Sequence, residues 1–356
     1  MPSERQSWDD YDDAVLYDAL LDGAPTSAIR GRLPWRTISS ITNRIQQQGW
    51  THIRDRVRAS QATVQPALQP HDVFRPPPSF ALDVPVRPFA VQVPKSAAIH
   101  TGNVLTALVY GDTHIPFHDP AALGVVRGIA EYAKPDILLH VGDLVDCWQI
   151  SRFDKDPTRR DSLQENIDQA REHLATMAMT VPNARRVLLE GNHEHRLTKT
   201  IWGLDGAARE LPRLRLFQQS MTWPTLLDLG AIGWEWVPER DQSKTSVLPK
   251  IIAKHGTVVR KWSAFTAKGE WEKYGASGVS GHTHRLGHFL HRDHNGTASW
   301  IETGCTCLLD PPYGTDFDWA QGCVVVTWNI DRRLMQSELV SIRDGAALYA
   351  RQEIAA

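Results

Sequence analysis

Several short apolar runs in this sequence are each followed by a polar cluster that begins with or contains glycine. The runs have the length of buried strands, and segments with a helical period lie between the first three, at about residues 120–132 and 161–180. Alternating strands and helices predict an α/β core. The strand-like runs are residues 104–110, 137–141, 186–190, 251–254, 278–280, 299–302 and 323–328.

Five of these runs end in residue types that bind metal ions. One such cluster alone is most simply a turn, but five in succession favour a shared site, because α/β folds place ligand sites in the loops at strand ends. The clusters are Gly111-Asp112-Thr113-His114, Gly142-Asp143-Leu144-Val145-Asp146, Gly191-Asn192-His193-Glu194, Lys254-His255-Gly256 and Gly281-His282-Thr283-His284.

Taken in order, the clusters resemble the D-x-H, G-D-x-x-D, G-N-H-[DE], H and G-H-x-H motifs of the calcineurin-like metallophosphoesterase superfamily. The resemblance spans residues 112–284 and implies two mixed β-sheets packed as a sandwich and flanked by helices. It also implies a dinuclear metal centre. One metal would be bound by Asp112, His114 and His284, the second by Asn192, His255 and His282, with Asp143 bridging the two.

The same resemblance makes His193 the proton donor beside the scissile phosphate. Histidine has a suitable pKa for this role, and Asp146 is the expected acidic residue that orients the ring. Arg196 either contacts the substrate phosphate or forms a surface salt bridge. Glu194 is expected to have a structural role, and His255 is the least specific of the predicted ligands because it is a single histidine before a glycine.

Imidazole and carboxylate ligands suit divalent transition metals. The sequence therefore predicts two divalent metal ions as cofactors, with manganese expected first and iron, zinc or nickel as alternatives. Such a pair activates water and polarises the phosphoryl group.

Residues 8–50 carry the pattern of three short helices, at about residues 9–21, 28–33 and 36–48. Six aspartates lie in or directly after the first, whereas residues 28–48 contain four arginines and no acid. Trp8, Ala28-Ile29-Arg30 and Arg36-Thr37 before an Ile-rich helix resemble Myb/SANT-like helix-turn-helix domains. The module predicts DNA binding through Arg30, Arg32, Arg36 and Arg44; the alternative is a packing or oligomerisation domain.

Eight prolines between residues 57 and 100 predict an extended arm. The expected organisation is a small helix-turn-helix-like domain at 1–57, a proline-rich linker or arm at 58–100, a catalytic domain at 101–345 and a C-terminal tail at 346–356.

Composition excludes several classes of protein. With 42% hydrophobic residues and 22% charged residues, the chain can build a core. Its net charge of −2 gives no overall positive potential that would attract nucleic acid. The polar N-terminus and the lack of a long apolar run predict a cytoplasmic protein without membrane partners. Its four cysteines suggest a reducing compartment, and Cys305 and Cys307 are expected to be packed thiols, with a metal site as the alternative.

Three functions remain open at this point. The first is a DNA-directed phosphodiesterase or nuclease, favoured by the appended helical module. The second is a phosphatase or phosphodiesterase that acts on phosphoprotein or small nucleotides. The third is a DNA-binding regulator whose metal centre is not catalytic.

Overall fold

The computed structural model of the protein describes residues 10–21, 25–33, 36–48, 50–51, 104–294, 296–314, 316–332 and 334–356. The chain divides into two compact units, residues 1–86 and 87–356. The predicted arm at 58–100 lies outside the described residues and stays a prediction.

The described part of the first unit consists of the three expected helices, which are α1 (Asp10–Leu21), α2 (Thr26–Arg32) and α3 (Ile38–Gln47). The helix α2 begins two residues earlier than predicted, directly after Pro25. The Thr37 side chain caps α3 by accepting a hydrogen bond of 3.1 Å from the backbone N–H of Ser40. The apolar faces of the helices form a small core of Leu16, Ala19, Leu20, Ile29, Leu33, Ile41 and Ile45.

Two of the four arginines predicted to contact DNA are turned toward the aspartates of α1. Arg36 is buried and ion-paired with Asp12, and Arg44 is ion-paired with Asp13. The sequence placed the two kinds of charge in different helices, and packing of those helices brings the charges together. The charges of Arg36 and Arg44 are thus used in ion pairs within the helical unit, and DNA contact by the four arginines stays a prediction.

Other polar residues of this unit do face solvent. Arg30 on α2 is exposed, as are Thr37, Ser39 and Asn43 around α3. The side chain of Arg32 lies outside the described residues.

The second unit contains a six-stranded sheet in the order β10-β9-β1-β2-β3-β4 and a four-stranded sheet in the order β5-β6-β8-β7. The strands β1 to β4 are parallel, as are β5, β6 and β8. The strands are β1 (Val104–Tyr110), β2 (Ile137–His140), β3 (Arg185–Leu189), β4 (Glu235–Val237), β5 (Ile252–Lys254), β6 (Gly278–Ser280), β7 (Leu286–Asp293), β8 (Gly296–Thr303), β9 (Gly322–Asn329) and β10 (Leu334–Ser341).

Helices lie between these strands. The α-helices are α4 (Pro120–Ala133), α5 (Leu163–Thr180), α6 (His195–Trp202), α7 (Arg215–Ser220), α8 (Trp223–Leu226), α9 (Leu229–Ile232) and α10 (Phe265–Tyr274). Short 3₁₀ helices occupy Trp148–Ile150, Gly206–Arg213 and Glu239–Asp241.

Alternate residues of the central strands enter two different cores, as the period of two along a strand requires. On β1, Val109 packs between the two sheets with Val279 of β6. Its neighbour Leu108 packs on the opposite face against Ile129 of α4 and Leu174 of α5. The result is the predicted α/β architecture, two mixed sheets packed face to face with helices outside.

The segment 346–356, predicted only as a tail, is a hairpin of β11 (Ala346–Tyr349) and β12 (Gln352–Ala355). It lies against two glycines of α4. A Cβ on Gly128 would come within 2.6 Å of Ile354, and one on Gly124 within 2.9 Å of Ala356. The expectation of a tail is corrected accordingly, since small residues on α4 give the hairpin a surface to pack on.

No helix within the described ranges is both long enough and apolar enough to cross a membrane.

Candidate metal centre

All five predicted clusters lie at the carboxyl ends of parallel strands. Those after β1, β2 and β3 belong to one sheet, and those after β5 and β6 belong to the other. Hydrogen bonds tie the loops together. The N–H of Asp112 donates to the carbonyl of Gly142 at 3.0 Å, and that of Gly281 donates to His255 at 2.9 Å. Across the two sheets, the N–H of His282 donates to the Asp112 carboxylate at 3.0 Å.

The backbone of this centre is unusual, because five predicted ligands have a positive φ. Such a conformation is uncommon for residues with a side chain and costs roughly 1–3 kcal/mol each. Its concentration here indicates that side-chain direction is set by the site and not by local backbone preference. The five are Asp112 (49°), His114 (51°), Asp143 (52°), His282 (75°) and His284 (57°).

One group of side chains surrounds the predicted first metal position. Nε2 of His284 lies 3.4 Å from Oδ1 of Asp112 and 3.0 Å from Nε2 of His114. Nε2 of His114 in turn lies 3.6 Å from Oδ2 of Asp143.

A second group surrounds the other side of Asp143. Nε2 of His255 lies 3.3 Å from Oδ2 of Asp143 and 2.9 Å from Oδ1 of Asn192. The ligand atoms of Asp143, His255 and His282 lie within 4.8 Å of one another. The structure thus brings all seven predicted ligands together, in two groups that share Asp143.

These separations fit two bound ions. Ligand atoms held about 2.0–2.2 Å from one metal at angles between 90° and 110° lie roughly 2.8–3.6 Å from each other. The nearest-neighbour distances in both groups, from 2.9 to 3.6 Å, fall in this interval.

The other ring nitrogens of His114, His255 and His284 have partners, which fixes the direction of these three rings. Nδ1 of His255 lies 3.0 Å from the carbonyl of Val141, and Nδ1 of His114 lies 3.3 Å from Asp146. Nδ1 of His284 lies 3.8 Å from Sγ of Cys307. In each case Nε2 remains the atom that faces the centre.

His193 lies beside the first group. Its Nδ1 is 2.8 Å from the backbone carbonyl of Asp146 and 3.2 Å from the Asp146 carboxylate. Its Nε2 is 3.8 Å from Oδ2 of Asp143, so the ring also belongs to a group that could hold a metal. Arg196 donates to Nε2 of His193 at 2.9 Å and to the Asp146 carbonyl at 2.7 Å, which places its guanidinium in the site.

Charges in the centre shift its pKa values. Burial opposes protonation of His255, but the Asp143 carboxylate raises the pKa of His255 to about 10. Burial, with the nearby His193, lowers the pKa of His114 to about 4. Burial and the charge of Asp143 raise the pKa of Glu194 to about 7.

Glu194 has a structural role, as the sequence predicted. Its buried carboxylate accepts hydrogen bonds from the backbone N–H groups of Gly191 (2.9 Å), Asp143 (3.0 Å) and Val145 (2.9 Å). It thereby joins the loop after β2 to the loop after β3.

Gln242 joins the His255 loop to Glu190 in a similar way, and the sequence motifs do not predict it. Its amide donates to the Glu190 carbonyl at 2.6 Å, and its oxygen accepts from the N–H of His255 at 2.8 Å. A glutamine far from any motif gives no sequence signal for such a contact.

Cys305 and Cys307 are buried free thiols beside His284, and the three side chains could themselves hold a metal. A hydrogen bond with Cys305, together with burial, raises the pKa of the Cys307 thiol far above its usual value. The interpretation as packed thiols stays a prediction.

Two different surfaces flank the centre. A cleft of about 900 Å³ opens on the side of Asn192, His255 and His282, and includes Lys254 and Tyr274 among its walls. On the other side, ring contacts lead outward from His284 through the aromatic belt, a name used here for Trp319, Phe317, Tyr313, Phe117, Arg159 and Trp148.

Comparison with known proteins settles the family. The model of the calcineurin-like phosphoesterase family matches residues 105–286, which include all seven predicted ligands. The chain belongs to the calcineurin-like phosphoesterase family. It is accordingly a metal-dependent phosphoester hydrolase, as the ordered motifs predicted.

Two phage proteins are similar to this calcineurin-like phosphoesterase over most of their length. The Gene 54 protein of Mycobacterium phage L5 is 28% identical over 251 residues, covering 67% of this chain and 94% of that protein. Gene 54 protein of phage D29 matches to the same extent.

Similar solved structures include Vacuolar Protein Sorting 29 from Cryptosporidium parvum, with 14% identity, coverage of 71% of this chain and 99% of that one, and a TM-score of 0.36. Purple acid phosphatase PPD1 from yellow lupin has 14% identity, coverage of 71% and 53%, and a TM-score of 0.36. Yfce, a phosphoesterase from E. coli, has 12% identity, coverage of 67% and 100%, and a TM-score of 0.28.

Proposed function

We propose that this protein is a dinuclear-metal phosphodiesterase that hydrolyses DNA. The observation that carries the proposal is the pair of ligand groups that share Asp143, with nearest-neighbour distances suited to two ions. Asp112, His114 and His284 would hold one ion, and Asn192, His255 and His282 the other. Manganese is the first choice for this nitrogen and oxygen donor set, ahead of iron, zinc or nickel.

When bound, the metal pair would supply Lewis-acid activation of a water and of the phosphoryl group. The protein's own part is proton transfer to the leaving oxygen, which we assign to His193. Asp146 holds the ring through Nδ1 and leaves Nε2 toward the centre. Because Arg196 donates to Nε2, it must move aside before His193 can act as an acid, and a substrate phosphate is the natural new partner for its guanidinium.

A diester suits the surroundings better than a monoester. A phosphodiester carries a group on each side of phosphorus, and this centre has a surface on each side, the cleft and the aromatic belt. A monoester carries a single group, which would occupy only one of these two surfaces.

DNA is the proposed diester because the chain carries an additional helical unit with exposed polar residues. Arg30, Ser39 and Asn43 are of the types that contact phosphates and bases. The pairing of Arg36 and Arg44 with aspartates leaves fewer cations for this purpose than the sequence suggested. Binding through this unit therefore rests on Arg30 and the polar face of α3.

Hydrolysis of a small nucleotide diester is the second candidate. The cleft of about 900 Å³ is within the size range of small-ligand pockets, and Tyr274 in its wall could face a base. A regulator with an inert centre has no comparable support, because every predicted ligand is present and in place.

The test is a substrate screen of the manganese-loaded full chain. Substrates are single-stranded and duplex DNA, cyclic nucleotides, a phosphopeptide and paired nitrophenyl mono- and diesters, with Asp143→Asn as the inactive control. The proposal expects metal-dependent DNA cleavage and a preference for the nitrophenyl diester. Cleavage of cyclic nucleotides without DNA would select the second candidate, and turnover confined to the phosphopeptide and the monoester would refute diester hydrolysis.

A further inference from the structure

The aromatic belt is a connected surface that begins at a predicted metal ligand. The ring of Trp319 lies 4.2 Å from that of His284. Phe317 stacks on Trp319 with centroids 4.1 Å apart and planes 7° from parallel. Tyr313 follows at 6.5 Å from Phe317. An unbroken series of rings therefore runs from the centre to the surface.

The outer rings of the belt are open to solvent. Tyr313 is 51% exposed and Phe317 is 38% exposed. Their planes are tilted by 58°, so they offer two separate exposed ring faces, and nucleic-acid bases stack on faces of this kind.

Beyond Tyr313 the belt continues with a cation between two rings. Phe117 lies 5.1 Å from Tyr313. The guanidinium of Arg159 lies 4.5 Å from the centroid of Phe117 and 4.2 Å from that of Trp148. Phe117 is buried, and the guanidinium of Arg159 lies against the rings of Phe117 and Trp148, so these side chains support Tyr313, and the exposed rings of Tyr313 and Phe317 form the stacking surface.

The charged residues Arg159 and Asp318, in and beside the belt, are already paired with other side chains. Arg159 is paired with Asp161 at 2.9 Å, and Asp318, next to Trp319, is paired with Arg285 at 2.8 Å. Since these charges are balanced locally, the belt offers stacking to a ligand more than it offers attraction to phosphate.

The belt and the proposed proton donor are on the same side of the centre. The ring of His114 lies 4.3 Å from that of His193 and 4.8 Å from that of His284, which in turn contacts Trp319. The cleft lies on the other side, with Asn192 and His282 in its walls.

We infer that the aromatic belt binds the bases of single-stranded DNA on the leaving-group side of the scissile phosphate. The inference rests on the proposed function, because it takes the diester to be DNA and His193 to serve the leaving oxygen. Bases in a duplex already stack on their neighbours, so this surface selects unpaired strands and does so without reading their sequence.

The test compares two labelled oligonucleotides of equal length and charge, a phosphorothioate thymidine decamer and its abasic counterpart. Binding to the metal-loaded full chain is measured by fluorescence anisotropy. One stacked base is worth about 1–3 kcal/mol, or roughly 5- to 150-fold in affinity. The wild-type protein should therefore prefer the thymidine oligonucleotide by at least about 5-fold.

The double variant Tyr313→Leu/Phe317→Leu keeps apolar side chains but removes both rings, and should lose most of that preference. Tyr132→Leu is the matched control. Tyr132 is 54% exposed at the far end of α4, and its variant should keep the preference. Thermal unfolding checks that both variants are folded.

An unchanged preference in the double variant, or no preference in the wild type, would overturn the inference. Equal affinity for thymidine monophosphate would also overturn it, because the belt would then serve a small nucleotide. Turnover of natural DNA is measured in parallel. Preference without turnover would refute the proposed function alone, and turnover without preference would refute the belt assignment alone.

Discussion

Gly191→Ala is expected to disable the centre by moving a single carboxylate. A Cβ at this position would lie 2.1 Å from Oδ1 of Asp143, 2.3 Å from its backbone nitrogen and 2.7 Å from Oε2 of Glu194. Ordinary contacts to a Cβ begin near 3.4 Å, so Asp143 or the loop after β3 must shift by about 1 Å. A misplacement of about 1 Å can cost on the order of 10²-fold in rate.

Overpacking also carries a cost of about 1–3 kcal/mol in the free energy of unfolding. We therefore expect Gly191→Ala to lower turnover of a nitrophenyl diester by about 10²-fold, to bind metal more weakly and to unfold at lower denaturant concentration. The assays are steady-state kinetics, elemental analysis after dialysis and urea unfolding of the metal-free protein.

Gly230→Ala is the matched control. Gly230 lies in α9, and a Cβ there would have nothing within 4 Å. The same chemical change should leave turnover and metal content unaltered and should stabilise the chain slightly, by about 0.4–1 kcal/mol. If Gly191→Ala kept both metals and turned over within a few-fold of wild type, the close approach of the two loops would have no bearing on the centre.

Three further predictions concern proton transfer, pH and the helical unit. His193→Ala should keep both metals and lose about 10²–10⁴-fold in rate on DNA but less on a nitrophenyl diester, whose leaving oxygen needs little protonation; loss of a metal would make His193 a ligand instead. The raised pKa of His255, about 10, means that the folded metal-free protein holds a proton that the unfolded chain releases above about 6.5. The free energy of unfolding of the metal-free protein should therefore fall between pH 7 and 10. Metal binding at pH 7 should release this proton, so a heat of binding that is the same in buffers of different ionisation enthalpy would contradict the prediction. Deleting residues 1–60, or changing Arg30 to Glu, should weaken DNA binding but spare a small diester, whereas equal loss of both activities would make the unit part of the catalytic fold.

The motifs made the centre predictable, because each consists of residues close together in sequence at the end of a strand. Asp112, Asp143 and His284 could be predicted as ligands from the motifs alone. Their positive φ angles could not, since Asp and His are ordinary residues in most turns and nothing local requires that conformation.

Contacts between distant segments account for what the sequence did not show. The pairing of Arg36 with Asp12 depends on how the segment before α3 packs on α1, so charges that looked segregated became partners. The hairpin at 346–356 depends on Gly124 and Gly128 of α4, more than two hundred residues earlier. In both cases the sequence shows which residue types are present, and the tertiary packing determines which residues they contact.

The most direct measurement of the central claim is a metal titration followed by activity. Metal-free protein is titrated with Mn²⁺, and bound metal and diesterase rate are measured at each step. The two ligand groups that share Asp143 predict two ions per chain at saturation, with rate following the second. Asp143→Asn should bind metal poorly and show no turnover. Full activity with a single bound ion, or retention of both ions and of activity in Asp143→Asn, would contradict the dinuclear centre.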